Sequence, residues 1–159
     1  MADLRATIKK FKGFRVTVVG DLIVDEYITC DPIGMSQEDP TLVVTPIQSQ
    51  MFIGGSSIVA AHGQSLGADV QFFSVSGKDT TANFARESLH DLGVSTIIFE
   101  DESRPTTLKQ RFRASGKTLL RVSHLRQHDI NSDIAKTLVR RDDTVDELYK
   151  KIKKTLRTE

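Results

Sequence analysis

Tryptophan is absent, cysteine occurs once, and aromatic residues make up only 6% of the chain; each scarcity removes a class of function. A lone cysteine, Cys30, can build neither an internal disulfide framework nor a multi-cysteine zinc site, so a reducing compartment is the simplest reading. Charge of neither sign is in excess: 22 basic residues against 21 acidic leave a net charge of +1. That gives no field to hold a nucleic-acid backbone, and so few aromatics leave little for base stacking. Long apolar runs are missing too. Nothing approaches the roughly 20 apolar residues that span a bilayer, and the opening stretch, MADLRATIKKFKG, has no apolar core of a signal peptide. The expectation is a soluble, cytoplasmic protein that engages neither nucleic acid nor membrane.

What is present is ordinary in amount and informative in order. A length of 159 residues suits one domain, or one domain with a small appendage, and 38% hydrophobic residues can build a core. Leu4, Ile8 and Phe11 recur at helical spacing and predict an amphipathic helix over 3–12. RVTVVG, 15–20, reads as a buried strand. Further strands are expected at 41–47 and 50–53, where Pro40 and Pro46 argue for an edge or a small outlying sheet. A helix closed by Gly67, a strand at 69–77, a helix over 80–93 closed by Gly93 and a strand at 94–100 then follow. This alternation is the βαβ pattern of a parallel sheet with helices on its faces. Residues 106–114 and 117–123 around Ser115-Gly116 predict a β-hairpin, which with 41–53 could form a small sheet standing off the main one. In the tail, Thr144 and Glu147 have capping-box spacing, and Val145, Leu148, Ile152 and Leu156 form one apolar stripe.

Four features bear on chemistry. Asp21 and Asp25 follow the first strand. They either solvate a turn or accept hydrogen bonds from a polyhydroxylated ligand, since ligands of parallel α/β sheets bind beyond the strands' carboxyl ends. Gly54-Gly55, ahead of a helix, is either a flexible loop or a place where backbone approaches a ligand closely. Lys109, Arg111 and Arg113 alternate along one strand and share a face, with Lys117 and Arg121 nearby; they form a solvated face or meet a phosphate. His124 and His128 suit one helical face, but no third metal ligand accompanies them. ASGKT lacks the earlier glycine of a phosphate-binding loop, because Arg111 stands there, and no GxGxxG follows the first strand.

Taken in order, VVGDLIVDEY, MSQEDPTLVV, GGSSIVAAHGQSLGA, SVSGKD and PTTLKQRFRASGKTLLRV resemble the amino-terminal half of a ribokinase-like (PfkB) carbohydrate kinase. Within that family the resemblance is strongest to the D-glycero-β-D-manno-heptose 7-phosphate kinase domain of ADP-heptose synthases. It implies a ribokinase-like α/β fold, a doubly wound and mainly parallel sheet, incomplete here, with a small antiparallel lid. Residues 1–159 would be the amino-terminal portion of the kinase domain, with lid segments at about 34–53 and 105–122. Asp21 and Asp25 would hold sugar hydroxyls, Gly54 and Gly55 would back the sugar, and Lys109, Arg111 and Arg121 would face its phosphate end. The resemblance further implies ATP and Mg2+ as cofactors of the complete enzyme, a heptose 7-phosphate-like substrate and a homodimer formed through the lid.

Two positions depart from the family. Ile58 stands where an asparagine usually points at the sugar, and Ser123 where an aspartate often follows the sheet arginine. A larger departure is that the family's catalytic Gly-Ala-Gly-Asp motif, on the carboxyl-terminal side with the ATP site, does not occur in these residues. The expectation is a sugar-binding and lid half that is inactive alone and binds neither ATP nor Mg2+. Alternatives are a non-catalytic sugar-phosphate-binding or dimerisation module, and one chain of a split kinase completed by a separate chain.

Overall fold

The computed structural model describes residues 4–130 and 132–137. Residues up to Arg126 form one compact unit, and a second begins at Gln127. In the second, a helical segment at 132–137 is described, where Thr137 Oγ1 donates to the Asp133 carbonyl at 2.8 Å. The capping box at Thr144 and the apolar stripe from Val145 to Leu156 lie outside the described residues.

The first unit runs α1 (Leu4–Lys9), β1 (Arg15–Val19), β2 (Leu22–Met35), β3 (Leu42–Gly55), α2 (Ser56–Ser65) and β4 (Asp69–Ser76), then α3 (Thr80–Asp91), β5 (Ser95–Glu100), β6 (Thr107–Ala114) and β7 (Lys117–His124). Two sheets result. A three-stranded parallel sheet has the order β1-β4-β5, and a four-stranded mixed sheet has the order β3-β2-β6-β7. The βαβ reading is borne out from β4 onward. Both helix stops are glycines in the left-handed region, Gly67 at φ 98° and Gly93 at φ 73°. The β6–β7 hairpin is also where the sequence put it, turning on Ser115 (φ 49°) and Gly116 (φ 76°).

Three expectations change. First, β2 was not foreseen: fourteen residues begin at Leu22, just after Asp21, and run past Asp25 into the turn before β3. Asp25, Asp31, Pro32 and Gly34 obscured it, yet the strand is held along its whole length by antiparallel β3 and over Ile23–Thr29 by parallel β6. Pro32 lies beyond Thr29, where β6 no longer pairs, so its missing N–H falls on a strand edge. Second, the expected strands at 41–47 and 50–53 are one strand, β3, because β2 backs it continuously. Its outer position in the sheet is the edge placement that Pro46 implied, and the register slips beside it between Thr29 and Cys30. Third, β1 is not buried. It is an edge strand whose residues are exposed apart from half-buried Val18. The leading helix is shorter than expected, six residues against ten, and the chain turns through Gly13 at φ 95°.

The core sits between the two sheets' bases and the helices. Leu22, Val24 and Ile53 of the four-stranded sheet meet Ala60 and Ala61 of α2, Val70 and Phe72 of β4, and Ala85 and Leu89 of α3. Alanines on both helices let the backbones approach closely, and Phe72 and Leu89, wholly buried, fill the volume left between them.

Candidate functional site

Side chains on a strand alternate between faces, so register decides which residues can meet. Asp25 of β2 stands beside Phe52 of β3 and Lys109 of β6; Tyr27 stands beside Gln50 and Arg111. Arg111 in turn registers with Arg121 of β7. Asp25, Lys109, Arg111 and Arg121, picked out by sequence, therefore share one face of the four-stranded sheet.

Contact is narrower than shared face. Arg111 Nη1 bonds Asp25 Oδ1 in an ion pair whose side chains are each about a fifth exposed (22% and 21%). That bond with Asp25 raises the Arg111 pKa, against the opposing effect of burial. The Arg111 guanidinium lies 5.1 Å from the Tyr27 ring centroid and that of Arg113 lies 5.8 Å from it, while Phe52 meets Tyr27 edge-on at 5.8 Å. Lys109 is half-buried and Arg121 is exposed on the outer strand.

The glycine pair is set by these neighbours. A Cβ on Gly54 would collide with Asp25 Oδ2, so the second carboxylate oxygen lies against bare backbone. Gly55 has φ 59° and ψ −136°, and a Cβ there would come within 2.8 Å of the Asp21 carbonyl. Ser57, fully buried, donates to the Gly54 carbonyl at 2.5 Å. Ser56 Oγ donates to the Asp21 carbonyl at 2.7 Å. Asp21 thus serves through its main chain, tying the β1–β2 turn to the start of α2, and its side chain is exposed.

A cleft of about 810 Å³ opens over this face, with Asp25, Tyr27, Phe52, Gly54, Gly55 and Ile58 among its walls and Arg113 and the Ser115–Gly116 turn at its far side. Its volume suits a small-molecule ligand. Of the residues expected from sequence, Asp25, Gly54 and Gly55 line it; Asp21, Lys109, Arg111 and Arg121 do not. Sequence reasoning passed over Tyr27 and weighed Arg113 only within a basic run that forms a solvated face or meets a phosphate. The signal for Arg113 was its alternation with Lys109 and Arg111; for Tyr27 there was none, because β2 was not recognised as a strand.

A second polar cluster fixes the hairpin beside the cleft. Asp79 caps α3 by accepting from the Ala82 N–H at 2.8 Å and accepts the Thr106 N–H at 2.8 Å with its other oxygen. Thr106 Oγ1 accepts the Gly77 N–H at 3.0 Å. Burial works to raise the Asp79 pKa, but the N–H groups of Thr106, Ala82 and Thr81 and the Thr106 hydroxyl outweigh it, and the net shift is downward. Asp101, buried, is held at about 2 by the Ser103 hydroxyl and N–H and by Arg104, against the effect of burial.

Among the described residues, no three His, Cys, Asp or Glu side chains group to hold a metal ion. The donor set at the cleft, one carboxylate already paired with an arginine, does not suit Mg2+, and no step through Mg2+ or ATP follows from these residues.

Solved structures with this fold include sugar kinases. A carbohydrate kinase from Agrobacterium tumefaciens superposes with a TM-score of 0.58 at 17% identity, over 69% of this chain and 35% of its own. The Arabidopsis thaliana ribokinase, solved with ribose and ATP, gives 0.58 at 20% identity over 70% of this chain and 36% of its own. The fold is therefore the ribokinase-like α/β fold. No family model matches the chain. Its sequence relatives narrow the assignment. The bifunctional protein HldE of a Nitratiruptor strain is 33% identical over 120 residues, covering 74% of this chain and 25% of that protein. The D-beta-D-heptose 7-phosphate kinase of Bordetella bronchiseptica is 33% identical over 135 residues, covering 80% of this chain and 43% of that one. By sequence the chain is a relative of the heptose 7-phosphate kinases, and by fold it is ribokinase-like. It spans between a quarter and less than half the length of these two relatives (25% and 43%).

Proposed function

We propose that this chain is the sugar-binding and lid portion of an ATP-dependent carbohydrate kinase of the heptose 7-phosphate type. The complete enzyme would transfer a phosphoryl group to the anomeric hydroxyl, in the synthesis of nucleotide-activated heptose for lipopolysaccharide or other surface glycans. The observation that carries the reading is the Asp25 carboxylate: Arg111 holds one oxygen, and the other faces bare Gly54 backbone at the cleft wall. A carboxylate fixed in this way accepts hydrogen bonds from sugar hydroxyls without having to reorganise. Tyr27 and Phe52 supply apolar surface for the sugar's C–H face, and Arg113 supplies positive charge for a phosphate. The segments 34–53 and 105–122 would close over the ligand as a lid. Exposed Ile33, Met35, Leu42, Val43 and Ile47 around the β2–β3 hairpin support a homodimer formed through that sheet. No helix among the described residues is long and apolar enough to cross a membrane.

The chain alone is expected to bind sugar phosphate and not to turn over ATP. A second reading, one chain of a split kinase, is favoured by the edge of β1, which among the described residues pairs only with β4, so that a strand from another polypeptide could join it. Thermal unfolding with and without heptose 7-phosphate, alongside an ATP-consumption assay with Mg2+, tests both parts. A midpoint that rises with sugar, with no ATP consumed, is the expected result. A midpoint unmoved by sugar removes the binding reading, and sugar-dependent ATP consumption removes the claim of inactivity.

A further inference from the structure

The cleft has two unlike sides. Polar side chains come from the strands: Asp25 and Thr29 of β2, Gln50 of β3 and Arg113 of β6. Helix α2 contributes one side chain, Ile58. Ile58 is half-buried and packs against the core cluster, so it cannot swing clear of the cleft without losing that packing. The two serines beside it offer no replacement side-chain donor or acceptor. The Ser56 hydroxyl is committed to the Asp21 carbonyl at 2.7 Å and the Ser57 hydroxyl to the Gly54 carbonyl at 2.5 Å.

We propose that Ile58 sets substrate choice in this cleft, selecting a sugar phosphate whose edge facing α2 carries hydrogen or a methyl group in place of a hydroxyl. The inference rests on the sugar-phosphate reading above and narrows it to a deoxygenated sugar. A hydroxyl seated against Ile58 gives up water there and receives no side-chain partner from α2. A C–H or methyl group there gains apolar contact. Apolar pockets discriminate in this way by about 10- to 100-fold.

The test is calorimetric titration of the purified chain with heptose 7-phosphate and with each of its monodeoxy analogues. The wild-type chain should bind one analogue about tenfold or more tighter than the parent sugar. Ile58→Asn should reverse that ranking, and Ile58→Val, which keeps an apolar wall and the core packing, should preserve it. If the wild type binds the parent as well as every analogue, or if a folded Ile58→Asn leaves the ranking unchanged, the selectivity claim is overturned while sugar binding stands. If the wild type binds none of these sugars, the sugar reading itself fails and takes this inference with it. The wild-type ranking decides the question even if Ile58→Asn does not fold.

Discussion

Asp25 illustrates how one side chain takes on two duties. It neutralises a partly buried guanidinium and packs its second oxygen against Gly54 at the cleft wall, where the missing side chain makes room for it. Asp25→Ala leaves Arg111 with a charge and no counter-ion at a site about one-fifth exposed (22%). The expected cost is about 1–3 kcal/mol in urea unfolding, with heptose 7-phosphate binding weakened at least about tenfold in calorimetry. Gly54→Ala keeps both charges but drives a methyl into the carboxylate. Binding should fall while stability drops by about 1–3 kcal/mol. Asp101 gives a prediction in pH. Its folded-state value lies near 2, below the usual 3.8, so its contribution is fully present above 3.8 and is lost as pH falls from there through about 2. Asp101→Asn should therefore flatten the fall in melting temperature across that acid window while leaving a lower plateau near neutrality. A parallel fall in variant and wild type would show that other carboxylates govern acid unfolding. At this scale Asp25 and the glycine pair were legible because residue type and order suffice to mark them. Arg111's true partner was not, since Asp25 and Arg111 are brought together only by the parallel β2–β6 register.

Between residues and the whole molecule, the elements divide by how local their causes are. Helices α2 and α3 and the β6–β7 hairpin were readable because glycines at positive φ end or turn them, and that is a property of single residues. Strand β2 was not readable. Its half-polar pattern makes sense only once β3 and β6 flank it, one face towards the cleft and the other towards the core. The same non-locality places the hairpin. Asp79 belongs to α3 by its cap and to the hairpin by its bond to the Thr106 N–H, so a single carboxylate sets where β6 begins. Asp79→Ala removes the cap and orphans the N–H of Thr106, a residue that is itself buried. The expected loss is about 2–3 kcal/mol by chemical denaturation. Asp79→Asn, which retains an acceptor oxygen, should lose about half as much. Equal losses in the two variants would mean that charge, rather than the two bonds, does the holding.

For the molecule as a whole, the sheet β1-β4-β5 has an open side. Among the described residues β1 pairs only with β4, and Val19, on that edge strand, is 63% exposed. An uncovered parallel edge bearing apolar residues invites another strand, whether from a longer polypeptide, a partner chain or a second copy. The alternation of strands and helices foretold a parallel sheet; it could not foretell that β1 is its rim, because edge and centre share the same β-branched run. The proposed homodimer thus has two candidate surfaces, the β1 edge and the exposed apolar tip around Ile47, which is 66% exposed. Each can be blocked with one lysine. Both Val19→Lys and Ile47→Lys change exposed positions, so each should shift stability by less than about 0.5 kcal/mol. In sedimentation velocity, Ile47→Lys should convert a defined dimer to monomer, because a closed symmetric contact saturates at two copies. Val19→Lys should leave the dimer and remove the larger, concentration-dependent species, since edge pairing between parallel sheets is not bound to close. A dimer abolished by Val19→Lys and untouched by Ile47→Lys would move the interface from the four-stranded sheet to the open edge, and the proposed lid would have to work without a partner.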